Sequence, residues 1–235
     1  MSFYKYEMHS HTSEVSRCSH ISATELVRRY YDIGFTGLCV TDHFYGNHYS
    51  SDGIPWKDRV RDFCFGYDIA RSEGERLGID VFFALEYTVT PGTDFLIYGI
   101  SEEWLSENQD SCRSTFKEFS SSVRASGGFI VQAHPFREGT YIPMISLAPG
   151  DIDGAEVFNA CRLESENERA DWYAESFDLI RLSGSDIHSA EQSVLGCMLT
   201  ERKAKDLKDL IRMIRMRKAR TCMIHASSPD ILTDI

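Results

Sequence analysis

The chain has 235 residues and a formal net charge of −11. That length buries one sizeable core, and an α/β barrel of this size is routinely a single domain, so one domain over 1–235 is expected. The acidic balance argues against a protein that tracks nucleic-acid backbone, which needs clustered Lys and Arg; bound divalent cations would still make one spot on such a surface attractive to an anion.

Seven cysteines without a C-x-x-C pair do not resemble a disulfide framework and read as mostly buried thiols of a reducing compartment. Residues 1–5 carry no apolar signal stretch, and no window approaches the ~18 consecutive apolar residues of a membrane span. A cytoplasmic location without a membrane partner is the expectation.

Phe3 to Met8 reads as a short aromatic-rich strand that runs into His9-Ser10-His11. Ser22-x-x-Glu25 has the form of a capping box, Leu26, Tyr30 and Ile33 supply an apolar stripe behind it, and Gly34 stops the helix. Phe35 to Thr41 is dense enough in apolar residues for a strand buried on both faces, ending at Asp42-His43. A polar loop from Tyr45 to Pro55 leads into a long helix, with Trp56, Val60, Phe63, Tyr67, Ala70, Gly74 and Leu77 spaced four and three apart, stopped by Gly78.

Ile79 to Leu85 is the third strand, finishing at Glu86, with an extension over Phe95 to Gly99 after a turn at Pro91-Gly92. Phe116, Phe119 and Val123 suggest a helix closed by Gly127-Gly128, after which Phe129 to Val131 runs out to His134-Pro135. Gly154 to Phe158 is a strand, Glu164 to Phe177 a polar helix, and Leu179 to Leu182 a strand ending in Ser183-Gly184-Ser185-Asp186-Ile187-His188. Val194 to Leu199, a helix carrying Leu207, Leu210, Ile211 and Ile214, and Thr221 to Ile224 complete the chain. Strands alternating with helices imply a parallel sheet, most simply closed into a barrel.

His9, His11, His43, Glu86, His134, Asn159, Asp186 and His188 all fall just after apolar runs, at the rim where barrel enzymes keep their chemistry. In an extended segment residues i and i+2 share a face, so His9 and His11 can grip one metal ion, and Asp186 with His188 repeats the spacing. Glu86 is an anionic ligand able to bridge two cations. Asp42 faces away from His43 in an extended segment and suits a role holding a ligand in place.

The ordered series H-x-H, T-D-H, a strand-ending Glu, A-H-P, E-V-F-N and G-S-D-x-H resembles the polymerase and histidinol phosphatase (PHP) superfamily over nearly the whole chain. The resemblance implies an α/β fold, a distorted seven-stranded (β/α)7 barrel, with two or three divalent metals that hydrolyse phosphoesters by attack of a metal-bound hydroxide. Carried across by motif, His9, His11, Asp186 and Glu86 would hold one metal, Glu86 and His134 a second, and His43 and His188 a third; Glu86, Asp186 and His188 are the residues assigned to catalysis. The family adds an acidic residue or histidine five or six positions beyond H-x-H, where this chain has Ser16 and Arg17. Glu14 is the nearest carboxylate and the choice for that slot, with Cys18 and His20 as alternatives. Asp94 could stand in for a second-metal histidine that some relatives carry.

Imidazole mixed with carboxylate suits zinc, manganese or iron better than magnesium. A phosphate needs further cations, and Arg offers a fork of donors; Arg17 and Arg137 are the candidates, with Arg162 behind them. Asn159 or Glu156 could touch substrate or a bound water, since a regular strand turns only one of them to the barrel mouth. His48 and His225 lie outside any motif. The expected partner is a small phosphorylated substrate, with hydrolysis of nucleic-acid ends or metal-stabilised binding without turnover as alternatives.

Overall fold

The computed structural model describes residues 3–45, 53–90 and 92–235. The elements, in order, are β1 (Tyr4–Glu7), α1 (Ala23–Ile33), β2 (Gly37–Val40), β3 (His43–Phe44), α2 (Trp56–Leu77), β4 (Asp80–Thr90), β5 (Thr93–Tyr98), α3 (Glu102–Glu107), α4 (Gln109–Cys112), α5 (Phe116–Ala125), β6 (Phe129–Gln132), β7 (Gly154–Asn159), α6 (Glu164–Ser176), β8 (Ile180–Gly184), β9 (Val194–Thr200), α7 (Leu207–Arg215), β10 (Ala219–His225) and β11 (Ser228–Asp234). The turn placed at Pro91-Gly92 and most of the polar loop after Tyr45, His48 included, fall partly or wholly outside the described residues.

Local chemistry sets the helix ends. The Ser22 side chain accepts from Glu25 N–H while the Glu25 carboxylate accepts from Ser22 N–H and Oγ–H, and Gly34, at φ 83°, closes α1 in the left-handed region. Thr115 and Glu118 form the same box on α5. Each such cap is worth about 1 kcal/mol, enough to set where these helices start.

The strands form one curled mixed sheet in the order β11-β10-β9-β1-β2-β4-β5-β6-β7-β8, with β3 beside β4. β1, β2 and β4 are parallel neighbours, as are β6, β7 and β8, but β5 runs antiparallel to both β4 and β6, and β9 runs antiparallel to β1 and β10. The architecture is barrel-like, yet eleven strands among the described residues replace the expected seven parallel ones. The reason lies in connection length: only residues 91–92 separate β4 from β5, too few for the crossover a parallel pair needs.

Alternate residues of the strands face the sheet's concave side. Tyr6, Met8, Cys39, Ala84, Leu96, Tyr98, Phe129, Val131, Leu182 and Met198 pack there with Leu210, Ile211, Met213 and Ile214 of α7. That helix plugs the end of the barrel at which β1 begins, where Ala204 N–H donates to the Tyr6 hydroxyl. The opposite end, where β1, β6 and β8 finish, is left to polar side chains. Here the sheet curls back on itself: Ser10 bridges to Ile187, and Gly184 and Gly196 approach so closely that a Cβ on Gly196 would overlap the Gly184 backbone.

α2 crosses the outside of the same end, and Gly66 is its point of closest approach. A Cβ there would overlap Thr12 Oγ1 and stand 3.0 Å from Asp42 Oδ2. Gly66→Ala should gain about 1 kcal/mol in helix propensity and lose about 1–3 kcal/mol to overpacking. A lower midpoint in thermal unfolding is the expected result, and a raised one would show that the Thr12–Asp42 contact yields freely.

Candidate metal centre

The concave face of β4 carries Phe82, Ala84 and then Glu86 in strict alternation, which delivers a carboxylate to the barrel mouth behind an apolar floor. β3 pairs in register with it, His43 opposite Glu86. β6 is followed by the inward Ala133, and the chain then bends through His134 at φ 28°; after β8 it bends again through Asp186 at φ 50°. Positive φ at two such residues is backbone strain of the kind concentrated at functional sites. The bridge between Ser10 and Ile187 sets the H-x-H and D-x-H segments side by side.

The result is one cluster. His9 Nε2 and His11 Nε2 lie 3.1 Å apart, and Asp186 Oδ1 stands 3.4 and 3.1 Å from them. Two ligand atoms on one tetrahedral zinc, each ~2.05 Å from it, are separated by about 3.3 Å, so this triangle has the size of a coordination face. Glu86 divides its oxygens: Oε1 is 3.1 Å from His134 Nε2 and 3.6 Å from His9 Nε2, while Oε2 is 2.9 Å from His43 Nδ1 and 3.4 Å from His11 Nε2. Four groupings follow among the described residues, His9 with His11 and Asp186, His9 with Glu86 and His134, His11 with His43 and His188, and Asp186 with His188 and Cys161.

Glu86 Oε2 and His43 Nδ1 are buried atoms without a hydrogen-bond partner, although they face each other. Leaving such groups unmatched away from water costs roughly 1–3 kcal/mol each, and a cation between lone-pair donors removes that penalty. The donor set and its spacing fit divalent metal ions.

A further layer of carboxylates holds the ligands. Glu156 Oε1 is 2.9 Å from His9 Nδ1, and its Oε2 accepts from His134 N–H and Asn159 Nδ2. Asp42 accepts from Thr12 N–H, Thr12 Oγ1 and Ser16 Oγ, as its outward orientation predicted, and burial pushes its carboxyl up to about 6 against those donors. Glu7 accepts from Met8 and His9 N–H, Tyr30 Oη and both the N–H and Oγ of Ser185, so it ties the end of β1 to the end of β8; burial still lifts it to about 7.

The inner groups respond to one another. Burial opposes charge on His9, but Glu156, Asp186 and Glu86 outweigh it and raise its pKa well above the ordinary value. Burial drives His11 down to about 3. Burial likewise opposes the charge of Glu86, yet His43 and His9 carry its pKa well below the carboxylate range.

Not every expected residue joins the cluster. The Glu14 carboxylate accepts from Ala23 N–H at 2.9 Å and caps α1, which turns it away from the imidazoles; a helix N-terminus with free N–H groups competes for any nearby carboxylate. Asn159 is buried, and its Nδ2 donates to Glu156 and Asp186, so it braces a ligand instead of facing a substrate. A β-bulge between Glu156 and Phe158 turns both Glu156 and Asn159 inward, where a regular strand would have chosen one. Arg162 lines a separate groove, and His225 is exposed on β10.

A cavity of about 870 Å³ opens beside the cluster, lined among others by His43, Asp186, His188, Arg17, Arg137 and Asp94. Arg137 stacks on Tyr141 at 5.6 Å and stands 4.0 Å from the buried Asp94 carboxylate. Arg59 and Tyr45 also line the cavity. Arg59 escapes a sequence reading because it flanks the apolar stripe of α2 and looks like part of a solvated face.

No family model and no curated protein matches the sequence. Solved structures do. A two-domain protein from Bacteroides vulgatus containing a predicted PHP-like metal-dependent phosphoesterase superimposes with a TM-score of 0.69 at 19% identity, over 94% of this chain and 64% of that one. This chain shares its fold with that protein. A putative metal-dependent phosphoesterase from Bifidobacterium adolescentis superimposes with a TM-score of 0.57 at 16% identity, over 90% of this chain and 96% of that one. The lesion-specific endonuclease PfuEndoQ from Pyrococcus furiosus gives 0.59 at 14% identity, over 92% of this chain and 56% of that one. The chain thus spans under two thirds of the first and last of these proteins. Among the described residues, no helix is long and apolar enough to cross a membrane.

Proton competition gives a signed expectation for this centre. Nearby carboxylates raise His9 and His134 against their burial, and His188 is raised to about 10. A metal takes the lone pair, so these protons must leave on binding. Apparent affinity should therefore rise with pH, with net proton release in titration calorimetry compared across buffers of different ionisation enthalpy; proton uptake would contradict it. Glu156→Gln should weaken metal binding about 10- to 100-fold.

Proposed function

We propose that the chain is a metal-dependent phosphoesterase that hydrolyses a small phosphorylated molecule. The observation that carries the reading is the placement of Glu86, whose two carboxylate oxygens each face two imidazoles, beside a cavity that His43, Asp186, His188, Arg17, Arg59 and Arg137 line. His9, His11 and Asp186 would hold one metal, Glu86 with His134 a second, and His43 with His188 a third. Zinc, manganese or iron suits these donors. When bound, such ions bring the pKa of water to roughly 7 and stabilise phosphoryl oxygens.

The chain's own residues do the rest. Arg137 and Arg17 offer guanidinium donors on the cavity wall, suited to the non-bridging oxygens of a phosphate. Asp94 lies within 4.0 Å of Arg137 and orients it. Tyr45, whose ring stacks on His43 at 5.7 Å, and Phe63 supply an apolar wall for the leaving group. A cavity of about 870 Å³ accommodates a nucleotide or sugar phosphate, since ligand sites of this kind run from roughly 300 to 1,000 Å³.

Hydrolysis of nucleic-acid ends is the second reading, favoured by the fold shared with an endonuclease and opposed by the net charge of −11. A phosphate-release screen on mononucleotides, sugar phosphates and an aryl phosphate, after loading with manganese, zinc or iron, separates the two. Release from monomers supports the first reading, cleavage of oligonucleotides alone supports the second, and neither with metal bound leaves a binding protein.

Glu86→Gln is expected to remove bound metal and turnover together. Arg137→Ala should raise KM about 10- to 100-fold, the worth of a charge-assisted hydrogen bond, with metal content unchanged by elemental analysis. Loss of metal in the Arg137 variant would contradict its role.

A further inference from the structure

We infer that the thiol of Cys18 is the third protein ligand of a metal held by His43 and His188, so that the outer position of the centre is an imidazole and thiolate site. This rests on the metal-centre reading above and goes beyond it by replacing the expected carboxylate with sulfur.

Several observations converge on this atom. The stretch between His11 and His20 offers one carboxylate, Glu14, and it is committed to the Ala23 N–H. Ser16 Oγ donates to Asp42 and accepts from His43 N–H. Cys18 remains: its Sγ is 3.2 Å from His188 Nε2, and it lines the same cavity as His43. Nitrogen and sulfur on one tetrahedral zinc, at ~2.05 and ~2.3 Å, lie about 3.5 Å apart, so the pair is within a few tenths of an ångström of a coordination edge.

The thiol does not stand alone. His43 and His188 group with His11 within ligand distance, and the rings of His43 and His188 lie 4.6 and 4.7 Å from that of His11. The wholly buried Glu86 Oε2, without a hydrogen-bond partner, points into this group at 2.9 Å from His43 Nδ1. His188 Nδ1 donates to the Asp186 carbonyl at 2.6 Å, which leaves the Nε2 lone pair on the Cys18 side.

On binding, the S–H bond breaks, the sulfur lone pair forms the bond to the metal, and the proton passes to solvent. A soft sulfur ligand favours zinc or another thiophilic cation over magnesium or manganese at this position, so the centre would discriminate between metals site by site.

Cobalt(II) titrated into the metal-free full chain tests this without reference to turnover. Wild type should develop a thiolate-to-cobalt charge-transfer band in the near ultraviolet, which imidazole and carboxylate ligands do not give. Cys18→Ser should lose the band and one equivalent of cobalt while keeping the rest, which also shows that it folds. Cys18→Asp should keep the equivalent without the band, and Cys161→Ser should keep both.

Thiol labelling is the second measurement. Cys18 and Cys161 are exposed and the other five cysteines buried, so metal should protect one of two fast-reacting thiols. Bound cobalt without the band, a band that survives Cys18→Ser, or a band lost only in Cys161→Ser would overturn the assignment while leaving the metal centre intact. A wild-type chain that binds no cobalt would overturn both.

Discussion

A carboxylate removed from water has to be matched by donors or by positive charge, and what stands against Glu86 Oε2 is the His43 imidazole at 2.9 Å, outside hydrogen-bond geometry. Around that oxygen the structure gathers imidazole rings instead of backbone N–H groups, and the remainder of the barrel mouth is arranged to keep them there. The strain at His134 and Asp186 makes sense in this light: two bends that a regular strand end would avoid are tolerated because they aim ligand atoms at a shared point.

The ligands are rigid because other carboxylates hold them. Glu156 reaches His9, the His134 backbone and Asn159, while Asp42 fixes Thr12 and Ser16 and Glu7 joins the two motif-bearing strand ends. Each is buried and surrounded by donors, so each is fixed in place. Glu156, with Asp186 and Glu86, favours positive charge on His9 against its burial, which suits the same volume to cations.

Much of this was legible in the chain. The period of two that ends at Glu86, the H-x-H and D-x-H spacings, the Ser22 capping box and the stripe of α2 are local patterns, and local patterns survive folding. What could not be read depends on contacts distant in sequence or on departures from ideal geometry. The reversal of β5 follows from a connection too short to cross the sheet, although the run itself looks like any other strand. The bulge that turns both Glu156 and Asn159 inward leaves no mark in residue type. Glu14 was the natural choice by charge, yet the start of α1 competes for it, and nothing in the sequence says which of two nearby attractors wins.

β1 lies between β2 and β9, so it cannot finish pairing until the chain has grown past residue 194. His11 and Asp186, in contact at 3.1 Å, are 175 positions apart. Closure of so long a loop is slow and comes late in folding. The newborn chain therefore presents its histidines to the cell's metal pool only as separate, weak donors, and the full grip exists only in molecules that have completed the barrel.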